Sequence, residues 1–184
     1  MRLAWITDCH LYRASPAAIE RFLVALRESG AEAVIISGDI SHAGRLVADL
    51  ERLAAASPGP IWHVLGNHDH YGASIGTVRD AVIALGEQDP RARWLPPAGV
   101  VTLAPGRLLV GVDGWADGRH GDPLQTPLVL NDDRLIAELA AQDGRAAKLA
   151  VKRILADADA NRLETLLRRA AEQAADSIVV ATHV

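Results

Sequence analysis

Three short groups of side chains able to hold an ion or move a proton stand out: Asp8-Cys9-His10, Gly38-Asp39 and Gly66-Asn67-His68-Asp69. A further candidate, His183, follows an apolar run near the end of the sequence. Asp8 and His10, two residues apart, can turn toward one point, and a carboxylate with an imidazole suits Mn, Fe, Zn or Ni better than Ca. Asp39 offers a carboxylate that can bridge two ions, an arrangement that clamps both sides of an in-line displacement. Asn67 adds a neutral oxygen ligand, His68 a proton donor for a leaving group, and Asp69 a carboxylate able to orient that imidazole. Each group alone has an ordinary explanation as a loop Asp beside a surface His, a turn Asp, or an Asn-rich turn. Their spacing argues against that explanation.

The elements that must carry these groups alternate between strand and helix. Leu3 to Ile6 is an apolar run read as a buried strand, and Ala33 to Ile36 and Ile61 to Leu65 are two more. Ser15-Pro16 reads as N-cap and first residue of a helix whose Ile19, Phe22, Leu23 and Leu26 share one face. Gly30 ends that helix. Leu46, Leu50 and Leu53 mark a second helix, broken by Pro58-Gly59-Pro60. Asp8 to Asp39 is 31 positions and Asp39 to Asn67 is 28. A βαβ unit takes about 30 residues, so the three groups fall at the same end of adjacent parallel strands. That carboxyl edge is where ligands bind in open α/β sheets.

Downstream, a helix is expected from Ser74 to Leu85, and a hairpin from Val100–Leu103 and Leu108–Val112 around Pro105-Gly106. Asp113 to Pro127 reads as a loop. Asn131 is placed to cap one helix carrying Leu135, Ile136 and Leu139. Gly144 to Ala175 is helical with a break near Asp157–Ala160, and Ile178–Ala181 is a last strand. With no repeat and no low-complexity linker, one domain over 1–184 is expected.

Composition bounds the function. Apolar content of 49% and a net charge of -4 describe an ordinary globular chain, against non-specific nucleic-acid binding. The charge leaves a phosphate substrate open, because bound divalent ions reverse the local sign. No apolar stretch reaches the roughly 20 residues of a membrane span. Met1 to Thr7 reads as a strand leading straight into Asp8, so no signal peptide is expected. With Cys9 the only cysteine, a reducing, cytoplasmic setting is expected.

In order, Asp8-x-His10, Gly38-Asp39, Gly66-Asn67-His68-Asp69 and Thr182-His183 resemble the motifs of the calcineurin-like metallophosphoesterase superfamily. The resemblance implies an α/β fold built as a double β-sandwich flanked by helices, with the second sheet starting after Val100. It implies two divalent ions: Asp8 and His10 on the first, Asn67 and His183 on the second, and Asp39 bridging both. His68 would be the catalytic acid, supported by Asp69. The implied reaction is hydrolysis of a small phosphate mono- or diester by a hydroxide held between the ions, as a phosphodiesterase or phosphatase. The family pattern continues with a Gly-His-x-His motif that this sequence lacks. The expectation is therefore a fragment whose last strands are missing, with weakened metal binding. The alternatives are a non-catalytic protein-binding scaffold on the same fold, or an inactive fragment.

The remaining candidates have plainer readings. Cys9 is expected to be a buried structural thiol, His42 a solvated loop residue within reach of the cleft, and His63, in mid-strand, a packed core or surface residue rather than a ligand. His70 and Tyr71 either line the pocket or pack the turn. Trp5, Trp62, Trp94 and Trp115 are read as core, and Arg119 as a possible phosphate contact.

Overall fold

The structure is a computed structural model describing residues 1–183. The first half folds into a parallel sheet in the order β1 (Leu3–Ile6), β2 (Ala33–Ser37), β3 (Ile61–Val64), β4 (Ala92–Trp94). Crossover helices α1 (Pro16–Glu28), α2 (Leu46–Ala56) and α3 (Ile75–Gln88) connect these strands. The expected caps are present. Ser15 accepts from the amide of Ala18, with Pro16 in the first turn, and Ser74 accepts from the amide of Thr77.

A second sheet follows: β5 (Val101–Ala104) pairs antiparallel with β6 (Arg107–Gly111), which pairs parallel with β7 (Ser177–Ala181). Strand alternation sorts the core into layers. Val34 and Ile36 of β2 face the helices, burying Leu23, Leu26, Leu50, Leu53 and Val82. Ile35 points the other way and meets Leu109 and Ala181 of the second sheet. Leu108 and Val110, on the outer face of β6, pack on Leu166 and Ala170 of α7 (Gly144–Ala171). The order helices, sheet, sheet, helix is that of the expected sandwich.

Several local expectations are corrected. β1 is not buried: it is an edge strand, and Trp5 is 72% exposed, donating its indole N–H to Ser37 Oγ. Leu3 and Trp5 line one wall of a groove whose other wall is Val179 to Thr182 at the β7 edge. β4 and the short helix α4 (Leu95–Ala98) were not anticipated, because three strand residues between Pro90 and Pro96 show no periodicity. The helix expected after Asn131 is two short ones, α5 (Asp132–Leu135) and α6 (Ala137–Ala140). Ile136 between them is extended and bridges to Ala73. α7 runs unbroken through Asp157–Ala160, where the buried Asp159 accepts the amide of Gly114. No helix among the described residues is long and apolar enough to cross a membrane.

Candidate metal centre

β1, β2 and β3 are adjacent and parallel, so the loops after them emerge side by side. The first two loops stay zipped together past the sheet. The amides of Asp8, His10 and Leu11 donate to the carbonyls of Gly38, Asp39 and Ile40 at 3.2, 3.0 and 2.9 Å. This forces Asp8, His10 and Asp39 into left-handed backbone, with φ of 52°, 39° and 55°. Such conformations cost non-glycine residues roughly 1–2 kcal/mol each, and clusters of them mark functional sites.

The glycines of two motifs permit the close approach. A Cβ on Gly66 would collide with Asp39 Oδ1, and one on Gly38 would lie 2.7 Å from the His183 ring. Any side chain at either position would push the loops apart.

The result is a buried carboxylate ringed by imidazoles. Asp39 is 3% exposed. Its Oδ2 lies 3.5 Å from His10 Nε2 and 3.7 Å from His68 Nε2, and its Oδ1 lies 3.5 Å from His183 Nε2. His10 Nε2 is also 3.9 Å from Asp8 Oδ1. Possible ligand atoms gather into two sets, His10–Asp39–His68 and Asp8–Asp39–His183, each within 4.8 Å of one another. Asp39 belongs to both. His68 lies on the Oδ2 side of Asp39 and His183 on the Oδ1 side, and Asp8 also approaches His10.

The donor set fits divalent ions. The separations exceed hydrogen-bond length, yet approach the roughly 3.0–3.4 Å between ligands that share an ion about 2.1 Å away. Among the described residues no Lys or Arg pairs with Asp8 or Asp39. Mixed carboxylate and imidazole donors suit Mn, Fe, Zn or Ni.

The His183 ring is oriented by the backbone of β2. Its Nδ1 lies 2.8 Å from the carbonyl of Ser37. A carbonyl only accepts, so Nδ1 carries a proton and Nε2 is the nitrogen that faces Asp39. The backbone of His183 is placed by its amide, which donates to the carbonyl of Asp113. The Asp113 side chain braces the loop after β3, accepting from the Leu65 amide, the Trp94 indole and Arg79.

Asp69 does not orient His68. It is fully buried, and its oxygens accept the amides of Ser41 and Gly66 at 2.8 and 2.9 Å. It therefore ties the β3 loop to the β2 loop. Burial pushes its carboxyl up to about 8, against those two amides. The partner of the His68 imidazole is Tyr12, whose hydroxyl lies 3.0 Å from Nδ1 and accepts from Arg13 Nε. Tyr12 was missed because one aromatic after Asp-x-His carries no pattern. Burial lowers the His68 pKa, against the pull of Asp39.

Asn67 stands beside these sets with its Nδ2 directed at Asp132. Asn67, His68 and His183 open onto a cavity of about 360 Å³ whose walls include Tyr71, Trp115 and Asp132. Tyr71 thus lines the pocket, while His70 is wholly buried and stacked on Trp115. His42 packs edge-on against Tyr12, His63 is fully buried, and Cys9 sits at the core margin. Arg119 is occupied by Asp117 and Asp157.

The fold and this convergence define a metallophosphoesterase-type protein. The family model for calcineurin-like phosphoesterases matches residues 1–183, and the chain belongs to that family. It is generally a family of metal-dependent phosphoester hydrolases. Among solved structures, the chain is similar to a phosphopantetheinyl hydrolase from Mycobacterium tuberculosis, with 16% identity and a TM-score of 0.66 over 99% of this chain and 67% of that one. A second similar structure is TT1561 of Thermus thermophilus, with 21% identity and a TM-score of 0.49 over 66% of this chain and 52% of that one. The chain thus spans about half the length of the Thermus protein and two thirds of the other. No curated protein matches the sequence.

Proposed function

We propose that the chain carries the two-ion centre of a hydrolase acting on a small phosphate mono- or diester. The observation that carries this reading is Asp39, whose two carboxylate oxygens face two different ligand sets. Asp8, His10, Asp39, Asn67 and His183 are the residues that would hold the ions. Such ions, when bound, acidify a water and offset charge on phosphoryl oxygens.

His68 is the proton donor to the leaving oxygen. The Tyr12 oxygen accepts from Arg13 Nε and lies 3.0 Å from His68 Nδ1, placed to accept a proton from that nitrogen as well. To give up a proton His68 acts as the imidazolium, with Nδ1–H donating to the Tyr12 oxygen and Nε2–H facing the site. Loss of the Nε2 proton to the leaving oxygen then leaves a neutral imidazole still hydrogen-bonded to Tyr12. Asp69 supports the acid indirectly, by fixing the loop on which His68 stands. The cavity beside Asn67 would receive the organic part of the ester.

The test is to load the purified chain with Mn²⁺, measure bound metal, and assay aryl phosphate monoesters and bis-aryl phosphodiesters. Bound metal near two equivalents and metal-dependent release of the phenol are expected. A chain that takes up no Mn²⁺, or that hydrolyses neither ester class when loaded, would overturn the reading.

A further inference from the structure

We infer that Asp132 is a positioning residue for Asn67, turning the amide so that its oxygen faces the ions. The inference rests on the function proposed above.

Asp132 opens α5, 65 residues beyond Asn67 and outside every motif. It is 7% exposed at the wall of the cavity. Its Oδ1 accepts from Asn67 Nδ2 at 2.8 Å and from the Tyr71 hydroxyl at 2.5 Å. The same Nδ2 lies 3.2 Å from the Tyr71 oxygen. The network has one consistent proton arrangement: Tyr71 gives its proton to Asp132 and accepts from Asn67, and Asn67 gives its N–H groups to both. An ionised carboxylate only accepts. Rotating the amide by half a turn would set its carbonyl oxygen against the Asp132 carboxylate. The N–H edge is therefore held at Asp132, and Oδ1 is left as the edge able to ligate.

The surrounding fold fixes Asp132 itself. The Gly72 amide donates to the carbonyl of Leu135, and the Ala137 amide to that of Ala73, at 2.8 and 3.1 Å. Glu138 accepts the amide of Ile75, and Ile136 and Leu139 are buried with Ile75 and Trp115. The segment carrying Asp132 is thus clamped to the residues directly after the Asn67 turn. The break at Ile136 that divides α5 from α6 is what allows this clamp.

Without Asp132 the amide has two orientations of similar energy, one of which presents N–H to a cation. Outer partners that orient metal ligands change affinity roughly 10–100-fold. Calorimetric titration of Mn²⁺ into the metal-free full chain reads this directly. Asp132→Ala should weaken one of two binding events by roughly 10–100-fold and leave the other unchanged. Asp132→Asn, whose carbonyl can still accept from Asn67 but whose N–H group no longer excludes the flipped amide, should lose clearly less affinity than Asp132→Ala. In an Asn67→Ala background, Asp132→Ala should cost no further affinity. Melting of each metal-free variant is recorded alongside. Should Asp132→Ala not fold, Asp132→Leu replaces it, filling the space without an acceptor.

Wild-type affinity in Asp132→Ala overturns the inference, as does an Asp132→Asn variant equally weak. An equal loss in the Asn67→Ala background also overturns it. A wild-type chain that binds no Mn²⁺ instead overturns the proposed function, and this inference with it.

Discussion

The backbone amide of His68 donates to Asp39 Oδ1 at 3.0 Å, while the imidazole of His68 stands 3.7 Å from Asp39 Oδ2. One carboxylate thus positions the β3 loop through its backbone and meets the side chain that the same loop delivers. Exchange of Asp39 for Asn separates the two roles, because the Asn carbonyl still accepts the amide. Asp39→Asn should fold normally and lose metal and phosphoesterase activity together, by more than the roughly 100-fold that follows loss of an outer partner. Metal content and esterase rate, measured beside a melting curve, check this. Retained activity would refute the shared role of Asp39.

Tyr12→Phe removes the hydroxyl that faces His68 Nδ1 and leaves the ring against His42. A net hydrogen bond contributes about 0.5–1.5 kcal/mol, so kcat should fall roughly two- to twelvefold with KM unchanged. A rise in KM at constant kcat would instead place Tyr12 in substrate binding.

His63 sits in β3 with both ring nitrogens buried and unpartnered, and burial holds its pKa down at about 3. In the unfolded chain it titrates near 6.5. A base with a depressed folded pKa stabilises fully above the unfolded value, and that contribution is lost as pH falls from about 6.5 toward 3. His63→Leu should flatten the pH dependence of the urea midpoint across that window. Identical slopes for variant and parent would show that His63 takes up its proton as readily in the fold as in the unfolded chain.

Ala174, just past α7, has φ of 49°. Left-handed backbone costs an alanine about 1 kcal/mol that glycine does not pay. Ala174→Gly should raise the melting temperature by about 2–4 °C for a chain of this size. A lower melting temperature would mean that chain entropy outweighs the strain.

Much of the first sheet was legible because each βαβ unit writes itself locally. Apolar runs ended at Gly38 and Gly66, and Ser15-Pro16 and Ser74 announced their helices. The exposure of Trp5 was not legible, since an apolar run does not say whether its strand has a neighbour on both sides. The break at Ile136 was hidden by helical periodicity, which the bridge to Ala73 overrides.

The same division runs through the site. Ligand types and the interval near 30 residues follow from the sequence, because parallel strands of similar length bring their ends to one edge. Which groups meet there is a matter of distance in space. Asp8 is separated from His183 by almost the whole chain yet shares Asp39 with it. The partners that set each group's orientation were likewise decided only by the tertiary structure: Tyr12 for His68, the Ser37 carbonyl for His183, and Asp132 for Asn67. A hydrogen bond needs atoms about 3 Å apart at a given angle, and no spacing along a chain encodes that for residues 65 or 146 positions apart.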